Sequence, residues 1–214
     1  MLLLVGLGNP DRRHARNRHN VGFMALEAIA LHYGFGRERR RFHGTAREGL
    51  LGGKRTLALW PRTYMNRSGQ AVEAAAHYYR LAPGSVIVFH DELDLNPGKV
   101  RVKRGGGTAG HNGLRSIGSH IGPDFRRVRI GVGHPGNKAQ VERYVLRNFP
   151  KRDRGWLEPL LDAVVAAAEH LAEDDDPGFT TKVALLLQPP KPDKPKPSKP
   201  APGKPAPTDP PAPD

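Results

Sequence analysis

A short apolar run, Leu2-Leu3-Leu4-Val5, stops abruptly at Gly6-Leu7-Gly8, and no helix signal follows until Asn20. Asn20 is a good N-cap, and Val21 to Tyr33 then reads as a helix that is apolar nearly all round and closed by Gly34. A helix apolar on every side has to be buried, and so does a strand without alternation, so the chain opens as a strand–loop–helix unit of an α/β protein. Residues 8–19 form the loop that leaves the carboxyl end of that strand, where open α/β sheets place their ligands. The loop holds Asn9, Asn17, four arginines, His14 and His19, the last residue before the cap. A histidine held between a strand and a helix is placed for acid–base work, although most single histidines are structural or surface residues.

The rest of the chain repeats the strand and helix alternation. Arg37 to Arg41 reads as a solvated, charge-rich loop. Thr45–Leu51 and Arg55–Leu59 flank Gly52-Gly53-Lys54 as a hairpin. Trp60 to Asn66 is a loop, and Val72, Ala75, Ala76 and Tyr79 mark one face of a helix ending near Arg80. Val86 to Phe89 is a continuous apolar run of strand length and leads straight into His90-Asp91-Glu92-Leu93-Asp94. Lys99-Val100-Arg101-Val102-Lys103 alternates strictly, which predicts a strand with a basic outer face, and Arg127 to Val132 repeats that pattern. Between them Gly105 to Gly113 leads into a helix with Leu114, Ile117 and Ile121 on one side. Lys138–Asn148, Trp156–Ala172 and Phe179–Leu187 read as helices, with Pro159 in a first turn. Residues 1–187 are therefore expected to form one α/β domain, its sheet mixed but mostly parallel and flanked by helices.

The tail from 188 to 214 has a different composition. It holds twelve of the 21 prolines and no large apolar side chain, so it is expected to be disordered and partly polyproline II. It contributes five Lys and three Asp, so about eleven of the chain's thirteen net positive charges belong to the folded part. Such an excess points to a polyanionic partner, most simply nucleic acid. With no cysteine there is no disulfide framework, thiol nucleophile or thiolate metal site. The apolar start is too short for a signal-peptide core and no segment is long enough to span a bilayer, which reads as a soluble cytoplasmic protein.

Three stretches invite chemistry. Gly6-Leu7-Gly8 after a strand suggests a dinucleotide site, but Asp11 stands where the third glycine belongs and the acidic residue about twenty positions on, Glu27, lies inside the helix. His90 to Asp94 suggests a divalent cation, yet no second acidic cluster or paired histidines complete a site. Asp91 at a strand end serves better to orient a histidine and stabilise its protonated form. Gly105 to Gly113 resembles a phosphate cradle before a helix, although a glycine run also serves as a mobile loop and Asn112 as a simple N-cap. His19, Asp91, Asn9, Asn66 and Asn112 all fall in loops or element ends. Several neutral amides with one histidine and one carboxylate suit hydrolysis of an activated acyl bond by a water, the amides holding the carbonyl while His19 takes the proton.

These residues resemble a known family. Gly6-Leu7-Gly8-Asn9-Pro10, Arg18-His19-Asn20-Val21-Gly22, Thr63-Tyr64-Met65-Asn66-Arg67-Ser68-Gly69, His90-Asp91-Glu92-Leu93-Asp94-Leu95, Gly105 to Leu114 and Arg129-Ile130-Gly131-Val132-Gly133-His134-Pro135 are similar to bacterial-type peptidyl-tRNA hydrolase over residues 1 to about 187. The resemblance implies cleavage of the ester joining a peptide to the 3′ ribose of tRNA. It implies His19 as general base on water and Asp91 as its partner, with Asn9, Met65, Asn66, His111 and Asn112 shaping the site. It further implies a 5′-phosphate clamp at Lys103 and Arg129. A metal, a cofactor and an obligate protein partner are not expected, and the chain is expected to be a monomer whose partner is tRNA. A rival reading is a non-catalytic RNA-binding protein on the same fold, which would have no need of the His19/Asp91 pair. Asp11, His14 and Thr108-Ala109 depart from the family's usual glycine, tyrosine and His/Ser-Gly, and the tail has no counterpart in it.

Overall fold

A computed structural model describes residues 1–188. Its seven strands are β1 (Leu2–Gly6), β2 (Arg39–Arg41), β3 (Gly44–Leu51), β4 (Lys54–Pro61), β5 (Val86–Glu92), β6 (Val100–Arg104) and β7 (Arg126–Gly131). They form one sheet in the order β2-β3-β4-β1-β5-β7-β6. The four central strands, β4, β1, β5 and β7, are parallel, and the pairs toward the two edges are antiparallel. The α-helices are α1 (Val21–His32), α2 (Ser68–Tyr78), α3 (Asn112–Ile121), α4 (Val141–Val145), α5 (Arg154–Ala172) and α6 (Asp176–Leu186).

The apolar run of β1 is explained by cover on both faces. Leu2 and Leu4 join the core built with α1, α5 and α6, while Leu3 and Val5 join the one built with α2 and α3. Gly6 and Gly22 are close-packing positions. A Cβ on Gly6 would lie 2.7 Å from the Gly22 carbonyl oxygen, and one on Gly22 would lie 2.2 Å from that of Phe89. The start of α1 therefore rests directly on the ends of β1 and β5, and the loop before it is held over the sheet's carboxyl edge.

Several expectations need correction. Arg39–Arg41 is not loop but the short edge strand β2, paired to β3; three charged side chains make the kind of edge that resists further pairing. The loop before α1 carries two 3₁₀ turns, Arg12–His14 and Arg18–Asn20. Asn20 does not cap α1 through its side chain. Its amide is spent on Asn9 instead, accepting from the Asn9 N–H and donating to the Asn9 carbonyl, both at 2.9 Å. The expected helix over 138–148 is reduced to a 3₁₀ turn, Lys138–Gln140, and the single-turn α4. Helix α5 starts at Arg154, so Pro159 falls in its second turn. Arg127 does not face solvent with the other strand cations. It is 2% exposed, its guanidinium donating to the Gly107 and Pro123 carbonyls. The expectation of a disordered tail concerns residues that, after Gln188, lie outside those described. No helix among the described residues is long and apolar enough to cross a membrane.

Candidate active site

The carboxyl ends of β1 and β5 open on a cleft of about 840 Å³ whose walls include Asn9, His19, Met65, Asn66, Asp91, His111 and Asn112. Besides Asp91 at the end of β5, these residues come from three other stretches of chain. Asn9 and His19 lie in the loop between β1 and α1, Met65 and Asn66 start the turn before α2, and His111 and Asn112 begin α3. All seven residues expected at the ester site are thus brought together. Lys103 and Arg129 lie apart on β6 and β7.

The centre is Asp91, whose side chain is 3% exposed. One oxygen, Oδ1, stands 2.8 Å from His19 Nδ1 and 3.1 Å from His111 Nε2. The tautomers follow from the partners. His111 Nδ1 accepts the backbone N–H groups of Gly113 and Leu114 at 3.1 and 3.4 Å, so its proton is on Nε2 and is donated to Asp91. His19 donates its Nδ1 proton to the same oxygen, which leaves Nε2 as a free lone pair on a side chain that lines the cleft. Burial pushes the His19 imidazole down, but the Asp91 charge and hydrogen bond outweigh it and hold His19 above its ordinary value. Burial likewise pushes Asp91 up, and the two imidazoles overcome this and hold it well below the usual carboxylate range. A buried carboxylate that stays ionised beside a histidine favours the imidazolium that forms when Nε2 accepts a proton.

The cap of α3 belongs to His111, not Asn112, whose side-chain Oδ1 accepts from Arg115 on the exposed side. This also disposes of the phosphate-cradle reading, since two of the N–H groups a phosphate would need at α3 already point at the imidazole. Ala109 adopts a left-handed backbone with φ of 46°, where the resembled pattern has glycine. Arg127 steadies the other end of this loop through its 2.7 Å bond to the Gly107 carbonyl.

His90, one residue before Asp91, is fully buried; burial, with His111 alongside, pushes it down to about 3. It donates Nδ1–H to the Asp91 carbonyl at 2.7 Å and sets its ring edge-on to His111, 5.2 Å between centroids, so it braces that ring. His19, Asp91 and His111 also place ligand-type atoms within 4.8 Å of one another. In these tautomers both imidazole protons aim at Asp91, so an ion held there would have to displace both. The site is wired as a hydrogen-bonded relay.

On the uncovered part of the sheet Lys103 pairs across from Arg127, and Arg101 from Arg129. Lys103 and Arg129 are therefore diagonal neighbours on one face, about 7–8 Å apart at Cα. Lys103 is exposed, whereas Arg129 is partly buried and its Nε donates to Glu92 at 2.8 Å, leaving the terminal amino groups of the guanidinium to meet an anion. Sequence reasoning did not find Glu92 in this role. It also missed the α4 side of the cleft, where Lys138, Val141, Glu142, Val145 and Leu146 belong to the lining. These lie far beyond Asp91 along the chain and carry no motif, so only packing reveals them.

Comparison with known proteins gives one consistent result. The family model described as peptidyl-tRNA hydrolase matches residues 3–190. A peptidyl-tRNA hydrolase of Cereibacter sphaeroides is 57% identical over 194 residues, 91% of this chain and 86% of that protein. One of Rhodospirillum centenum is 55% identical over 191 residues, 89% and 84% of the two chains. The crystal structure of the peptidyl-tRNA hydrolase of Acinetobacter baumannii aligns with a TM-score of 0.81 at 42% identity, covering 86% of this chain and 94% of that one.

Proposed function

The chain belongs to the peptidyl-tRNA hydrolase family and hydrolyses peptidyl-tRNA, and from that premise we propose that His19 is the general base of the reaction and Asp91 its partner. The observation that carries this is the 2.8 Å bond from His19 Nδ1 to Asp91, which turns the free Nε2 lone pair over to the cleft. In this reading Nε2 takes a proton from a water as its oxygen attacks the ester carbonyl. The Asn9, Asn66 and Asn112 amides, with Met65 and His111, hold the ester and the peptide and meet the charge that develops on the carbonyl oxygen. When the carbon–oxygen bond to the ribose breaks, the imidazolium returns its proton to the leaving 3′-oxygen. Peptide acid and tRNA leave, and His19 is neutral again. The reading calls on no metal and no cofactor.

Lys103 and Arg129 are assigned to the 5′-phosphate of the tRNA. They share one face of the sheet, and Glu92 holds Arg129 in place without consuming its outer amino groups. We take the enzyme to act as a monomer in the cytoplasm, where its tRNA substrate is; sedimentation of the purified protein tests the first part.

The decisive experiment is His19→Ala. A positioned general base contributes about 10²–10⁴-fold, so turnover of N-acetyl-aminoacyl-tRNA is expected to fall by that much while tRNA binding persists. Near-normal turnover would overturn the assignment.

A further inference from the structure

Helix α4 walls one side of the cleft, yet it spans only five residues, Val141–Val145, of which Val145 alone is buried. Isolated helices shorter than about 12–15 residues are marginal in water, so something outside α4 has to hold it. The contacts converge on Arg18. Its backbone N–H donates to the Arg147 carbonyl at 3.1 Å. Its Nη1 donates to the Asn148 carbonyl at 3.2 Å, and its Nη2 pairs with Asp153 at 3.4 Å. Its guanidinium lies 4.4 Å from the Tyr144 ring centroid, and the Tyr144 hydroxyl in turn donates to the Val132 carbonyl at 2.6 Å. The chain on either side is stitched as well, through the Asn17–Asn148 bridge and the bond from Phe149 N–H to the Arg16 carbonyl.

We infer that Arg18 is a positioning residue for the reaction, anchoring α4 as a wall of the cleft. The assignment rests on the reading of this cleft as the peptidyl-tRNA site. The charge sits just past the carboxyl end of α4, where helix carbonyls favour a cation, and its side chain is 10% exposed. Burying a guanidinium is costly unless it is well partnered. Here the partners run from Tyr144 in α4 through Asn148 to Asp153 at the start of α5. Arg18 and His19 are neighbours in the same 3₁₀ turn, one turned outward to α4 and the other inward to Asp91. The turn that positions the base thereby also positions the apolar wall, Val141, Val145 and Leu146, against which substrate lies. Lysine does not replace this arrangement, because its compact ammonium lacks the planar fork that lies over Tyr144 while reaching the Asn148 carbonyl and Asp153.

Arg18→Lys tests the inference, with Tyr144→Leu as a second variant that loosens the same anchor from the other side and leaves the turn of His19 intact. Loss of a binding wall raises KM with little change in kcat, so both variants are expected to raise KM for N-acetyl-aminoacyl-tRNA by about tenfold and to keep kcat within about threefold. The acid limb of the pH profile, which reports His19, stays in place. Hydrogen exchange at the amides of 141–149 is expected to quicken by about tenfold or more while α1 and β1 keep their protection. Unchanged exchange in that segment overturns the anchor. Faster exchange with an unchanged KM overturns the role in binding. A fall in kcat with a displaced acid limb and unchanged exchange shows that Arg18 acts on His19 instead, which also overturns it. The His19→Ala measurement separately decides whether the cleft is the site at all.

Discussion

Replacing Asp91 by Asn removes the charge at the centre of the relay and nearly preserves its shape. The amide oxygen of the substituted side chain still accepts from His19 and His111, so the folded site is kept and the change is electrostatic. At the effective dielectric of about 20 that suits protein sites, unit charges about 4 Å apart attract by about 4 kcal/mol. If proton transfer to His19 is half complete in the transition state, about half of that, ~2 kcal/mol, is lost, equivalent to about a 30-fold drop in kcat. A second consequence has a definite sign. Asp91 holds the His19 imidazole above its ordinary value, against the push of burial. The proposed base works unprotonated, so wild-type activity is expected to rise with pH through that elevated value. Without the carboxylate, burial alone remains, and the acid limb moves to lower pH. The assay is kcat against pH for hydrolysis of N-acetyl-aminoacyl-tRNA, with thermal unfolding checked alongside. A variant with kcat within threefold of wild type, or an acid limb displaced upward, refutes the electrostatic role of Asp91.

Two further outcomes are expected. His111→Asn keeps a good N-cap for α3 but loses the bond to the buried Asp91 carboxylate, so turnover should fall and stability drop by about 1–3 kcal/mol; His111→Ala should lose the cap as well, about 1 kcal/mol more, read from urea unfolding. Lys103→Ala and Arg129→Ala should each weaken tRNA binding and flatten its salt dependence by about one phosphate contact, ~0.7–0.9 in the slope of log affinity against log salt, with kcat unaltered. If the wild-type protein binds tRNA with and without its 5′-phosphate equally, there is no clamp on this face.

Local sequence is a reliable guide where a pattern has one solution or a hard steric requirement speaks. The unbroken Leu2–Val5 run demanded a strand covered on both faces, and both cores meet on it. The loop after it did end on a histidine beside the sheet's carboxyl edge, and Asp91 lay one hydrogen bond away across 72 residues of chain. The family motifs, which are short and local, brought in Met65, Asn66, His111 and Asn112. Tertiary structure decided the rest, because the deciding partner was distant or the same pattern had two solutions. The alternation at Arg127 and Arg129 predicts outward cations, but Arg127 found two loop carbonyls and was buried, and Arg129 found Glu92. His111 took the cap that spacing alone would equally allow Asn112: its Nδ1 accepts two backbone N–H bonds while Nε2 donates to Asp91, and the Asn112 side chain turns to Arg115 instead. The short α4 has too few buried residues to announce itself. It exists as a wall because Arg18, 130 residues before its partner Asn148, supplies from outside the stabilisation that one turn of helix lacks.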